Sequence, residues 1–317
     1  MQIEEITKEE YKKLIPEFEY VYMREEFNDL NAYKVEEVKY LLFKDNKNRF
    51  SLVAGLVNDE LRCPFSAPYG MLNIFKKNTS IVNFIEAVKA LKDYFKEKEI
   101  RLIRITLPPT FYDEKNINKF TNSLLNLGAT IEKLDLNFQI DLNKVRLNQY
   151  GELITYAARK NLNISLVKGN TFIISDESRY KEVYEIIAKN RSYKGYPLRM
   201  SFEQVKQTMQ IVKHSCFIVE NNGKSVASAI VFEVNPDVAQ VIYWGDIPNV
   251  SELKCMNFLS YNVVEYYKDR GFKFLDIGPS TEDGIPNIGL CDFKESIGCD
   301  ISSKFTLKLE FENQIRS

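Results

Sequence analysis

One succession of secondary-structure signals occurs twice in this chain, and it constrains the fold more than any other feature. Residues 81–98 place apolar side chains at Ile81, Phe84, Ile85, Val88 and Leu91, a helical period, behind Ser80 as a cap. A strand-like run over 100–107 follows, stopped by Pro108 and Pro109. A second helix over 116–127 ends at Gly128, and an alternating strand covers 131–141. The order then returns: a long helix over 252–270 with Ser251 as its cap and Gly271 past its end, a strand over 272–277, a short helix over 289–297 and a strand over 302–311. Strand-like segments precede both series, at 36–43 and 49–57 in the first half and at 216–220, 225–234 and 238–244 in the second. Residues 146–160 read as a helix, and 163–167 and 171–174 as short strands around Lys168, Gly169 and Asn170. The two series share no obvious residue identity, so what repeats is architecture. The expectation is an α/β (α+β) protein of two tandem domains, 1–143 and 144–317, each a mixed sheet flanked by helices and large enough for its own core.

Composition narrows the function classes. Lys and Arg number 43 against 44 Asp and Glu, a net charge of -1, which argues against a generally basic DNA-binding protein. No stretch is long and apolar enough to predict a transmembrane helix. The acidic start MQIEEITKEEYKK has no apolar core of a secretory signal. A cytoplasmic protein without membrane insertion is expected. The five cysteines form no C-x-x-C pair, and no recognised metal-ligand spacing is present. His214 is the only histidine, so any His-dependent nucleophile would have to use it. Its place beside the apolar run 216–219 reads as a surface or element-end residue.

The second half carries an ordered set of short motifs: Lys268 to Phe272 (KDRGF), Asp276-Ile277-Gly278, and Phe293-Lys294-Glu295-Ser296-Ile297-Gly298. Upstream stand Ala158-Arg159-Lys160-Asn161-Leu162 and the segment from Asn190 and Arg191 to Pro197. This set resembles the second domain of the Fem-type (FemABX) peptidyltransferases of the GCN5-related N-acyltransferase (GNAT) superfamily. The resemblance covers roughly the second half by residues and the first half by element order alone. It implies two tandem GNAT-like (acyl-CoA N-acyltransferase) domains moving an acyl or aminoacyl group onto a primary amine of a cell-envelope or polysaccharide precursor. The implied donor is acyl-CoA or aminoacyl-tRNA, so a charged tRNA is among the implied partners. A catalytically silent tandem domain that binds a sugar-nucleotide or peptide ligand is the alternative reading.

In this fold a pair of parallel strands splays apart and exposes backbone groups to the donor. Here the splay is expected between 241–244 and 274–277, with phosphate held at the helix start near Ser251. CoA-dependent relatives carry a glycine-rich loop before that helix. This chain has Gly245, Asp246, Ile247 and Pro248 there, adding a carboxylate and removing an N–H, which moves weight away from CoA.

The candidate catalytic residues are Glu282 and Asp283, carboxylates in a loop after a parallel strand and able to take a proton from an attacking ammonium, and Asp276. Each also reads as structural: an acidic turn for the first two, a strand-end anchor for Asp276. The candidate donor or substrate contacts are Tyr243, Trp244, Lys294 and Ser251, with Arg191 and Lys194 in a basic, aromatic cluster. Lys294 matches the lysine that Fem-type members place near donor or phosphate. Tyr243 and Trp244 read equally as core. Ser66 and Tyr69 lie in the two-proline loop 64–70 (PFSAPYG), expected either to wall an acceptor cleft between the domains or to pack as an inter-domain loop.

Overall fold

A computed structural model of the chain describes residues 1–14, 20–76, 78–146 and 149–311. The elements run β1 (Gln2–Glu5), α1 (Lys8–Leu14), α2 (Glu25–Leu30), β2 (Glu37–Lys44), β3 (Asn48–Val57), β4 (Glu60–Cys63), β5 (Asn73–Ile74), α3 (Ile81–Lys98), β6 (Leu102–Thr106), α4 (Glu114–Asn126) and β7 (Thr130–Asp141). They continue with α5 (Tyr156–Val167), β8 (Asn170–Ser175), α6 (Tyr180–Lys194), α7 (Phe202–Met209), β9 (His214–Asn221), β10 (Lys224–Asn235), β11 (Val238–Asp246), α8 (Cys255–Asp269), β12 (Phe274–Pro279), β13 (Thr281–Glu282), β14 (Ile285–Pro286), α9 (Ile288–Ser296) and β15 (Asp300–Glu310).

The chain forms two compact units, Met1–Asp135 with the chain from Ser302 onward, and Leu136–Ile301. The first unit holds the strand order β1-β2-β3-β4-β6-β15, with β5 beside β3. β4 and β6 are parallel, and β15 pairs antiparallel with β6 from Thr306↔Thr106 to Glu310↔Leu102. Helix α3 buries Phe84, Val88, Leu91 and Phe95, the face that its sequence period marks. The second unit holds β7-β12-β11-β10-β9-β8, in which only β11 and β12 are parallel. Helices α5 and α8 share one core with this sheet, built around Phe138, Phe217, Ala229, Leu259, Val263 and Leu275. On the other side α6 packs on β10, where Ser228 Oγ donates to the Val183 carbonyl at 2.8 Å.

The last strand of each sequence half lies with the other half's sheet. Residues 137–141 of β7 pair with β12, and β15 pairs with β6. Sequence order alone does not say which edge a closing strand joins.

The stretch around residues 146–167 also differs from its sequence reading. Residues 147 and 148 lie outside the described residues. The helix begins later, at Tyr156, where Thr155 Oγ1 accepts from the Ala158 N–H, and it runs through the expected strand 163–167. Ala158, Leu162 and Ser165 form its buried stripe, a helical spacing that outweighs the apparent alternation of Ile164 and Leu166.

Candidate functional site

In the second unit β11 and β12 stay together for three residue pairs, the last being Gln240↔Asp276, and then diverge. Each strand carries one extra residue just beyond that point. Ile242 is unpaired against β10, between Val241↔Val231 and Tyr243↔Ile230. Ile277 is unpaired against β7, between Asp276↔Gln139 and Gly278↔Phe138. A bulge bends and twists its strand, so two of them at the same level turn the strands away from each other. Gly278 completes the second bend at a φ of 76°, where a side chain would be strained. A Cβ built on Gly278 meets no atom within 4 Å, so the space before this backbone is open.

A buried polar cluster fixes the fork. Asp276 is 0% exposed. Its Oδ1 accepts from Asn137 Nδ2 at 2.7 Å and from the Gly278 N–H at 2.8 Å, and its Oδ2 accepts from Gln240 Nε2 at 2.8 Å. These donors stand on β7, β12 and β11, so the carboxylate ties three strands together just before two of them part. Asp276, read from sequence as a catalytic candidate or a strand-end anchor, is held by these three bonds. Asn137 and Gln240 were not singled out by sequence, although a polar residue at an inward position of an apolar strand is a readable signal.

Lys294, on α9, is 5% exposed. Its ammonium donates to the carbonyls of Gly278 at 2.7 Å and Pro279 at 2.9 Å, and lies 5.2 Å from the centre of the Phe138 ring. A third N–H has no partner among the described residues. Burial lowers its pKa from 10.5 to about 8; Asp276 and the nearby Cys299 and Cys291 oppose the fall, and the Arg191 charge adds to it.

Arg191 at the end of α6 is half-buried, with its guanidinium 5.6 Å from the Tyr243 ring centre and 6.0 Å from that of Tyr196. It has no carboxylate partner among the described residues, and burial lowers its pKa. Burial likewise raises that of the Tyr243 phenol. Two cations thus stand in mutual electrostatic range without a salt bridge, an arrangement that favours an anionic or negatively polarised guest.

The other expected residues fall as follows. Trp244 sits beside the core with its ring edge toward Phe293, centroids 6.2 Å apart. Lys194 is exposed, 4.0 Å from Asp246. Ser251 does not cap α8: it opens a short 3-10 turn, Lys254 then takes a left-handed φ of 51°, and the helix begins at Cys255. Asp246 occupies the neighbourhood of that start, bonded by Asn190 Nδ2 at 2.9 Å and lying 3.8 Å from Cys255 Sγ. Glu282 and Asp283 stand exposed on the hairpin β13–β14, where Asp283 and Gly284 both have positive φ, the turn that Asp-Gly favours. Ser280, absent from the sequence-based set, is buried between Pro279 and this hairpin, and its Oγ has no partner among the described residues. His214 begins β9, its ring bonded to the Val212 carbonyl and the Tyr180 hydroxyl.

Ser66 and Tyr69 belong to the first unit. Ser66 Oγ donates to Asn31 at 2.8 Å and accepts from Lys34 at 2.6 Å. Tyr69 is 0% exposed, packed among Tyr20, Tyr22 and Tyr112. The next residue, Gly70, bonds through its N–H to the Thr106 carbonyl at the end of β6. The loop therefore fills the region beyond the parallel pair β4/β6 with the unit's own aromatics. The corresponding fork of the second unit is lined by cations and open backbone.

No protein-family model matches the chain, and no curated protein matches it. Among solved structures, FemX superposes with a TM-score of 0.70 at 13% identity over 98% of each chain. The lysylphosphatidylglycerol synthetase structure from Bacillus licheniformis gives 0.62 at 13% identity, covering 98% of this chain and 94% of that one. The C-terminal domain of a putative lysylphosphatidylglycerol synthetase from Agrobacterium fabrum gives 0.58 at 11% identity, covering 95% and 92%. The expected Fem-type, tandem GNAT-like fold is therefore the fold of this chain.

Proposed function

We propose that the second unit is an N-acyltransferase that moves an acyl or aminoacyl group onto a primary amine of a cell-envelope precursor. The observation that carries this reading is Lys294, a buried ammonium locked onto two backbone carbonyls where β11 and β12 part. Acyl transfer to an amine passes through a tetrahedral oxyanion, and a fixed, desolvated cation stabilises the charge that develops there. Arg191, held between two tyrosines, supplies a second positive charge for an anionic part of donor or acceptor. The acceptor amine is protonated near neutrality and must lose a proton before it attacks. Glu282 or Asp283, on the hairpin that follows β12, takes it directly or through a water.

FemX and the lysylphosphatidylglycerol synthetases share the fold, and the latter name describes a lysyl group on a phospholipid. An aminoacyl donor fits this chain better than CoA, because the start of α8 has Asp246 beside it where a pyrophosphate would need free N–H groups.

The test is transfer of a labelled acyl group from aminoacyl-tRNA, with acetyl-CoA in parallel, onto an amine-bearing envelope precursor. Lys294→Met should lower turnover by roughly 10²–10³, the usual cost of one oxyanion donor. Full turnover by this variant would remove Lys294 from the mechanism. Ligand binding without turnover in the wild type would favour a silent binding domain.

A further inference from the structure

We propose that the outer face of α5 docks the protein on an anionic lipid surface. Tyr156, Arg159, Lys160, Asn163, Val167 and Lys168 line one shallow groove of about 520 Å³. At about 3.6 residues per turn they share one side of the helix, opposite the stripe of Ala158, Leu162 and Ser165 that faces the core. Two properties coincide there.

The first is charge. From residue 153 to residue 175 the sequence has no Asp or Glu, although acidic residues number 44 in the chain. None of Arg159, Lys160 and Lys168 has an ion-pair partner among the described residues. Some exposed cations elsewhere are paired, as Lys144 is with Asp300 and Lys273 with Asp237, whereas here these three unpaired cations stand together in a stretch without acids. This face is therefore a local positive patch.

The second is apolar exposure. Val167 is 88% exposed, Tyr156 81%, Leu166 53% and Ile174, on the adjoining edge strand β8, 57%. Aliphatic side chains add nothing to the recognition of a phosphodiester backbone, but they gain by entering the boundary between lipid headgroups and acyl chains. A tyrosine at the helix end suits the same boundary. Cations flanking exposed aliphatics are thus complementary to anionic lipid rather than to RNA. The helix is about 18 Å long, enough to lie along such a surface.

The experiment uses the full chain and sucrose-loaded vesicles, either of phosphatidylcholine alone or with phosphatidylglycerol added. The wild type should sediment with the anionic vesicles only, and less so as salt rises. The triple variant Arg159→Gln/Lys160→Gln/Lys168→Gln should lower partitioning on the order of 100-fold, from roughly fivefold per cation. Val167→Asp should weaken partitioning while leaving the three cations in place. All four side chains point outward, and circular dichroism checks that the fold is kept. Lys181→Gln/Lys206→Gln/Lys224→Gln removes the same charge from other exposed positions and should bind as the wild type does. Absence of wild-type binding to anionic vesicles, or equal loss in both triple variants, overturns the proposal. So does binding of a labelled single-stranded RNA that the first triple variant abolishes while vesicles are not bound.

Discussion

Lys294→Met should change how stability responds to pH, in a direction that the burial of this lysine dictates. The ammonium is 5% exposed, and burial lowers its pKa from 10.5 to about 8. Between those values the unfolded chain holds a proton that the folded chain has released. Stability therefore rises with pH across this window, is fully present above the unfolded value, and is lost as pH falls through about 8. Each pH unit of the window is worth about 1.4 kcal/mol, so the whole of it amounts to about 3 kcal/mol. Methionine has a similar shape and does not titrate. The variant also loses the bonds to the Gly278 and Pro279 carbonyls, but that loss is a nearly constant offset. Subtracting the variant's unfolding free energy from that of the wild type cancels the other titrating groups common to both. Urea denaturation of the two proteins, repeated from neutral pH to 10.5, should show the difference moving toward the wild type by about 3 kcal/mol. A difference that stays flat through this window would refute the buried ammonium, and with it the argument for a cation held ready at the fork.

Asp276→Leu removes the acceptor of the buried donors of Asn137, Gln240 and Gly278, and should cost about 1–3 kcal/mol for each in chemical denaturation. A loss below about 1 kcal/mol would show that the carboxylate does not hold the strands. Gly245→Ala places a Cβ 2.7 Å from Asn190 Cγ, where α6 packs closely on β11, and should lower stability by about 1–3 kcal/mol. Glu282→Gln/Asp283→Asn should reduce turnover by about 10²–10⁴ with an unchanged melting temperature, since both side chains are exposed and asparagine tolerates the left-handed turn conformation. Wild-type turnover at every pH would exclude both as the base.

The sequence by itself determined the class of fold and most of the succession of elements, the stretch 146–167 excepted. Period, caps and breakers are local signals. Hence α3 was legible from its apolar spacing and the hairpin of β9 and β10 from Asn222 and Gly223. The motif string from Lys268 to Gly298 located the fork and Lys294. Tertiary structure decided what local signals do not encode. Which strand β15 joins depends on pairing partners 200 or more residues apart, and Asp276 ties strands together because Asn137 and Gln240 converge on it from other strands. The same lysine that would be an ordinary solvated cation on an isolated helix acquires a lowered pKa because the fold removes water from it, even with two carbonyls aimed at its ammonium. Tyr69, in a loop whose sequence suggested either a cleft wall or an inter-domain packing loop, lies in an aromatic cluster because rings contributed by distant segments bury one another. Desolvation and long-range convergence are properties of packing, and no local stretch of sequence encodes them.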